Sequence, residues 1–376
     1  MKTANLFQKE QDNVDYNACV GNNGWININT YIHGYQAATL VMLESVLKSV
    51  NCRKDVPENA NYWYVDTAIY PILFSARHYI ELYLKQKVYA INQFKINKKI
   101  EDKLVRTHDI NKLWGLLKTI VNETHDSRIS EFIIAIEPYV NDFSKIDLTG
   151  ETFRYPYNQD YTKKHLENMS VIGLYNFYHK FNKLSKYMTD FDCLIDYLYD
   201  EYKTHTYTSH LNREDIENIA KKLPVHTDWK KDEFRKIKVK IKNQFKIGSK
   251  ELSQVIDIIK EHMEFKRYIF PNIYELEIDK DKLINFINNK FSIDDLESFR
   301  NEEVSCIRTL VELGTSIDNG RYYSEDYNIL YEKYLNEIKK DCYQRESNYE
   351  YSIRNINKIK RGLEKICYSF IYKINN

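Results

Sequence analysis

The chain has 376 residues, with 43% hydrophobic and 29% charged residues and 55 Lys and Arg against 54 Asp and Glu. This apolar content excludes a disordered chain, and the near-zero net charge supplies no global field to draw the protein to nucleic acid or membrane. Only 10 Gly and 6 Pro exclude a collagen-like chain, argue against a propeller and favour long helices, while the length suggests two domains.

The N-terminus, MKTANLFQKEQDNVDY, is polar and lacks the apolar stretch of a signal peptide. The longest uncharged run, Tyr16 to Leu43, is rich in Asn and Gly and falls short of the roughly 20 apolar residues of a membrane span. Residues 1–30 read as irregular. A helix is expected from Tyr31 to about Val50, then a loop over 51–62 and a second helix from Trp63 or Asp66 to about Ile91, with Pro71 near its start. Asp109 reads as the N-cap of INKLWGLLKTIV. Another helix covers Ser127 to Tyr139, and FSKIDLTGETFRYPYNQD follows with turn residues and short β-like character. From Tyr161 to Tyr202 the apolar residues keep helical spacing for longer than one ordinary helix, and the Thr189/Asp192 capping-box spacing suggests a second start.

The polar stretch Lys203 to Asp215 is the best linker candidate. Beyond it, Lys221 to Lys250 holds 11 Lys and Arg against 3 Asp and Glu. There Phe234, Ile237, Ile241 and Phe245 suit one helical face, while K-I-K-V-K-I-K alternates as a strand would. This segment could meet phosphates, stay solvated, or pair with the acidic run Asp190, Asp192, Asp196, Asp200 and Glu201. Ser249 reads as the N-cap of a helix ended by Pro271, and further helices are expected at 279–290, 301–313, 325–343 and 346–374.

The most informative segment is DTAIYPILFSARHYIELYLKQKV, Asp66 to Val88. Ile69, Leu73, Ala76, Ile80 and Leu84 share one helical face, and Tyr70, Phe74 and Val88 an adjoining one. Arg77 and Glu81 fall between these apolar sets, with Lys85 just past them. A buried Arg and Glu must pair or reach a polar cleft, and i, i+4 spacing permits pairing. One reading is an internal structural bridge. The other is a cleft where Arg77 and His78 grip a phosphate, a task suited to the planar guanidinium. His108, just before Asp109, and Arg154 of TFRYP, followed by Tyr155, could join such a cleft. Alternatively His108 caps or packs, and Arg154 pairs with a carboxylate or stacks on Tyr155.

Together, YPILFSARHYIELYLK, THDINKLW and FRYP resemble bacterial proteins encoded among phage-defence and abortive-infection genes. The first two also resemble the opening helices of HEPN domains (higher eukaryotes and prokaryotes nucleotide-binding). The resemblance covers about residues 30–200. It implies a small, usually paired α-helical bundle, in many members a metal-independent ribonuclease and in others non-catalytic. HEPN ribonucleases generally carry Arg, then four to six intervening residues, then His on one helix. Imidazole then moves the proton of the 2′-hydroxyl and Arg stabilises the phosphorane. This chain has no such Arg–His spacing. Lys118/His125 and Lys203/His210 have the spacing with Lys in place of Arg, which lacks the bidentate fork.

Other chemistry finds little support. There is no GxxxxGK[ST], GxGxxG or HExxH, and the six cysteines form no CxxC. Scattered thiols fit a reducing cytoplasm. His205 and His210 match no metal spacing, and YELEIDKDK reads as the start of a charged helix. The expectation is an all-α, cytoplasmic protein without cofactor or metal. It comprises a HEPN-like bundle over 1–203 and a second helical domain with a basic leading segment over 204–376. The expected function is an RNA-acting effector of antiphage defence, possible ribonuclease chemistry included, with Arg77, His78, His108 and Glu81 catalytic and Arg154, Tyr155 and Lys85 substrate-binding. It would work as a homodimer or with a defence partner. The alternative is a non-catalytic interaction or sensor module in a defence or toxin–antitoxin complex.

Overall fold

The structure, a computed structural model, describes residues 7, 9–22, 24, 26–52, 56–57, 60–96, 98–148, 150–158, 160–271, 273–316 and 323–366, apart from the side chain of Asn51. Its α-helices are α1 (Ile28–Asn51), α2 (Val65–Asn92), α3 (Asp102–Val105), α4 (Ile110–Thr124), α5 (Ser127–Ile146), α6 (Leu174–Lys203), α7 (Arg213–Lys222), α8 (Asp232–Phe245), α9 (Ser249–Glu261), α10 (Lys280–Ile287), α11 (Asn301–Ser316), α12 (Asp326–Lys340), α13 (Cys342–Arg354) and α14 (Ile356–Ile366). The protein is all-α. Among the described residues the only β pairing is an isolated bridge between Tyr157 and Lys164. No described helix is long and apolar enough to cross a membrane.

Local chemistry explains most boundaries. Asn27 caps α1 by accepting from Asn29 N while Thr30 accepts back from Asn27 N. Asp109 Oδ1 accepts from Lys112 N at 3.0 Å and starts α4. Pro71 lies inside α2, in its second turn and on an exposed position, where the helix tolerates one missing backbone bond. The segment Tyr161 to Gly173, expected to be helical, forms turns, and α6 then runs unbroken to Lys203. Thr189 does not cap a second helix, because its hydroxyl donates to Ser185 O one turn back. Lys236 to Lys242 is helical within α8, where Phe234 and Ile241 are buried and the lysines stay at the surface. At α9, Gly248 is the N-cap and Ser249 the first helical residue, and the helix stops at Glu261, well before Pro271. The last expected helix is two, α13 and α14, and its residues 367–374 lie outside the described ones.

The chain divides into two compact units, residues 1–123 with 127–192 and residues 124–126 with 193–376. The division falls within α6 and not at 203/204. The polar stretch after Lys203 is no tether: Thr206, Thr208, Leu211, Asn212 and Arg213 are all buried. In the first unit, α1 packs on α2, and Leu43, Val46, Ile80, Leu84, Ile136 and Met188 are fully buried. The second unit has two apolar clusters. One joins α7, α8 and α9 through Ile216, Ile219, Val255 and Ile259. The other joins α10 to α14 around Phe286, Ile307, Leu310, Ile359 and Leu363. Arg213 ties the two: it bonds Glu264 at 2.7 Å and Glu325, which also accepts from His262 Nε2 at 2.8 Å. In the second cluster, α11 and α14 cross backbone to backbone. A methyl built on Gly314 would overlap the Lys358 carbonyl, and one on Gly362 the Leu310 carbonyl. Only glycine fits either position.

Candidate functional site

The helical periodicity of α2 puts Arg77 and Glu81 on its buried side, and they are 1% and 2% exposed. Arg77 Nη1 donates to Glu81 Oε2. Its Nε donates to the Asp147 carbonyl at 3.3 Å and faces Asp147 Oδ2 at 3.8 Å. Its Nη2 donates to the carbonyls of His108 and Leu148. One guanidinium therefore fastens α2 to the turn before α4 and to the turn after α5.

That second turn is built to receive it. Asp147 Oδ1 accepts from Gly150 N at 2.8 Å and Thr152 N at 3.1 Å, a local side-chain-to-backbone turn. Gly150 has φ +86°, and a Cβ there would lie 3.2 Å from Arg77 Cζ. Positive φ and a guanidinium against the α-carbon both require glycine. Leu148 O also accepts from Ile110 N, a donor left over at the start of α4.

Glu81 is the hub on the other side. Its Oε1 receives Lys85 Nζ at 2.7 Å and His108 Nδ1 at 2.8 Å. Burial alone would raise this carboxyl, but Lys85, Arg77 and His108 together hold it below its ordinary range. The neutral tautomer that donates Nδ1–H to Glu81 leaves the Nε2 lone pair directed away from that carboxylate. The His108 side chain is 70% exposed. The arrangement is an imidazole oriented by a sealed carboxylate, which is geometry suited to proton transfer.

His78 stands apart. Its ring lies edge-on to Tyr35 and stacks on Phe74. Burial, aided by Arg77, Lys85 and His108, pushes its pKa down against the pull of Glu81, so it is neutral at pH 7.

Arg154 and Tyr155 are exposed and line a groove of about 580 Å³ with Tyr70, Lys164 and His165. Arg77, His78, Glu81, Lys85 and His108 do not line it. The link between the two groups is short: Arg154 Nε donates to Gly150 O at 2.6 Å, and Gly150 lies against Arg77. Arg154 also sits over the rings of Phe74 and Tyr155. Nearby, exposed Tyr157 and Tyr161 stack on each other, and His165 Nε2 lacks a hydrogen-bond partner. Asp147, Gly150, Lys164 and His165 were not anticipated. The run YTKKH offered a basic–aromatic signal for the last two, whereas nothing local marked Asp147 as a partner of Arg77.

Lys221 pairs with Glu217 and Lys231 with Asp228, while Asp192 pairs with Lys87 and Asp200 with Lys203. Among the described residues no group of three or more His, Cys, Asp or Glu is placed to hold a metal ion. Compared with known proteins, the chain matches no family model, no curated protein and no solved structure.

Proposed function

We propose that the chain acts on RNA as an effector of a bacterial antiphage or abortive-infection system, with His108 as its proton-transfer group. The observation that carries this reading is the exposed His108 imidazole, held through Nδ1 by the sealed Glu81 carboxylate. Arg77 is a positioning residue: it orients Glu81 and the turn carrying His108, and does not meet phosphate itself. The substrate surface is the irregular segment from Arg154 to His165. There Arg154 and Lys164 supply phosphate contacts, and Tyr155, Tyr157 and Tyr161 offer faces on which unpaired bases stack. His108 Nε2 takes the proton of a 2′-hydroxyl, the hydroxyl oxygen attacks the adjacent phosphorus, and the 5′-oxygen departs with a proton. A single imidazole performs one of the two proton transfers. The second comes from the equivalent residue of a paired copy, in keeping with the pairing that the HEPN resemblance implies.

Purified protein incubated with total RNA and with tRNA, with and without EDTA, tests this. Cleavage insensitive to EDTA is expected, reduced about 10²-fold or more by His108→Ala, with circular dichroism establishing that the variant remains folded although Glu81 loses one hydrogen bond. Absence of cleavage by the unaltered protein refutes the catalytic reading. One observation favours a second reading, a non-catalytic interaction or sensor module: the guanidinium on α2 is sealed and spent on internal acceptors. RNA binding or partner capture without cleavage supports that alternative.

A further inference from the structure

The first unit holds a second cavity, separate in character from the groove beside Arg154. It has a volume of about 470 Å³ between α5 and α6, within the range of small-molecule sites, roughly 300–1,000 Å³. Its walls are Leu73, Phe143, Phe153, Phe177, Phe181 and Leu184. The rings form a continuous apolar lining, with Phe177 edge-on to Phe143 and stacked on Phe181 at 5.8 Å.

The polar groups lie on the rim, where Asp142, Lys145, Asn176 and Lys180 border the cavity. Asp142 lies 3.6 Å from Lys145 and offsets its charge. Lys180 is exposed and has no ion-pair partner among the described residues. The site therefore presents an apolar interior and one uncompensated cation at its edge. A neutral hydrocarbon would leave that cation unused, and a polyanion such as a nucleotide phosphate would place excess charge beside Asp142.

We infer that this cavity binds an amphipathic monoanion: a chain or ring of about eight to ten carbons buried among the phenylalanines, with a single carboxylate met by Lys180. Leu73, Phe153, Met169 and Ile172 line both this cavity and the groove beside Arg154, whereas none of the cavity's residues belongs to the Arg77–Glu81–His108 group, so carboxylate binding and RNA cleavage can each be lost without the other. Binding buries apolar surface, and each methylene added to the ligand strengthens it about four-fold until the cavity is filled. The carboxylate–Lys180 contact, an ion pair at a wet rim, contributes about five-fold at most.

Calorimetric titration of the full chain with sodium hexanoate, octanoate and decanoate tests the proposal, with decan-1-ol as the uncharged comparison. One saturable site per chain is expected, with affinity rising along the series. Lys180→Gln weakens decanoate up to about five-fold and leaves decan-1-ol unchanged. Asn176→Trp, an exposed rim position, closes the mouth and abolishes both. Unchanged far-UV circular dichroism and melting establish that both variants are folded. Non-saturable uptake, decanoate binding indifferent to both substitutions, or co-sedimentation with acidic phospholipid vesicles without decanoate binding overturns it.

Discussion

Replacing Arg77 by Met separates a structural guanidinium from an anion receptor. The hydrophobic side chain roughly fills the space but removes every donor. Asp147, 1% exposed, then keeps its backbone contacts through Oδ1 but loses the one cation that, among the described residues, faces Oδ2. Breaking a buried ion pair from one side costs about 3–5 kcal/mol. The carbonyls of Asp147, His108 and Leu148 lose donors as well, at about 1–3 kcal/mol for each that stays dry. Leu148 O keeps Ile110 N and Glu81 keeps Lys85 and His108, so these losses do not simply add. A destabilisation of about 5 kcal/mol is expected, the size of the whole stability of a marginal domain. Urea unfolding followed by circular dichroism and by tryptophan fluorescence, to which Trp114, buried in α4, contributes, reads it. Arg77→Lys keeps the charge but cannot reach all the acceptors at once, and should fall between the two. If Arg77→Met unfolds within about 0.5 kcal/mol of the parent and loses only RNA binding, the guanidinium is a receptor for an outside anion and not an internal clamp.

Gly362→Ala should destabilise the second unit by about 3 kcal/mol or more, because its methyl meets the Leu310 backbone and not a yielding side chain. Gly115→Ala in α4, where nothing lies within 4 Å of the new methyl, should instead raise stability by about 0.5–1 kcal/mol; thermal melting of both variants checks the opposite signs. Acidification should weaken the first unit through two groups. Glu81 sits below its ordinary value of 4.5, so its contribution is complete well above that pH and fades as pH falls through the lower folded value. His78 sits below its ordinary 6.5, so stability also declines as pH drops from there toward its folded value. The stability gap between the parent and Glu81→Gln, from urea midpoints at pH 7, 5 and 4, should narrow on acidification; a constant gap contradicts a structural role for the ionised carboxylate.

Much of the site's inner half was legible in the sequence. The apolar spacing around Arg77 and Glu81 implied burial, burial demanded pairing, and i, i+4 spacing supplied the partner. The remaining acceptors, at residues 108, 147 and 148, are mostly backbone carbonyls brought in by tertiary packing, and no side-chain pattern encodes a carbonyl. The expected cleft divided for the same reason: Arg154 follows a turn whose direction is set by Gly150 and Asp147, and it faces the groove while Arg77 faces inward. The start capped by Asp109 was readable to the residue, whereas α1, capped by Asn27, begins three residues before the expected Tyr31. The break expected at Thr189 was not real, because a hydroxyl within a helix can satisfy itself on the preceding turn. The polar stretch after Lys203 resembled a tether because its threonines and Arg213 are hydrophilic, yet they are buried by bonding one another and Glu325.

The reach of Arg77 also bears on how the protein is made. During synthesis, α2 emerges from the ribosome some seventy residues before Asp147 and Leu148, which later receive its guanidinium. Until they appear, Glu81 pairs the charge, but this helix cannot sink into a dry interior without leaving other guanidinium donors short of acceptors. Nascent chains that stop short of residue 148 should therefore remain open and protease-sensitive, and the first unit should close only once that turn has been translated.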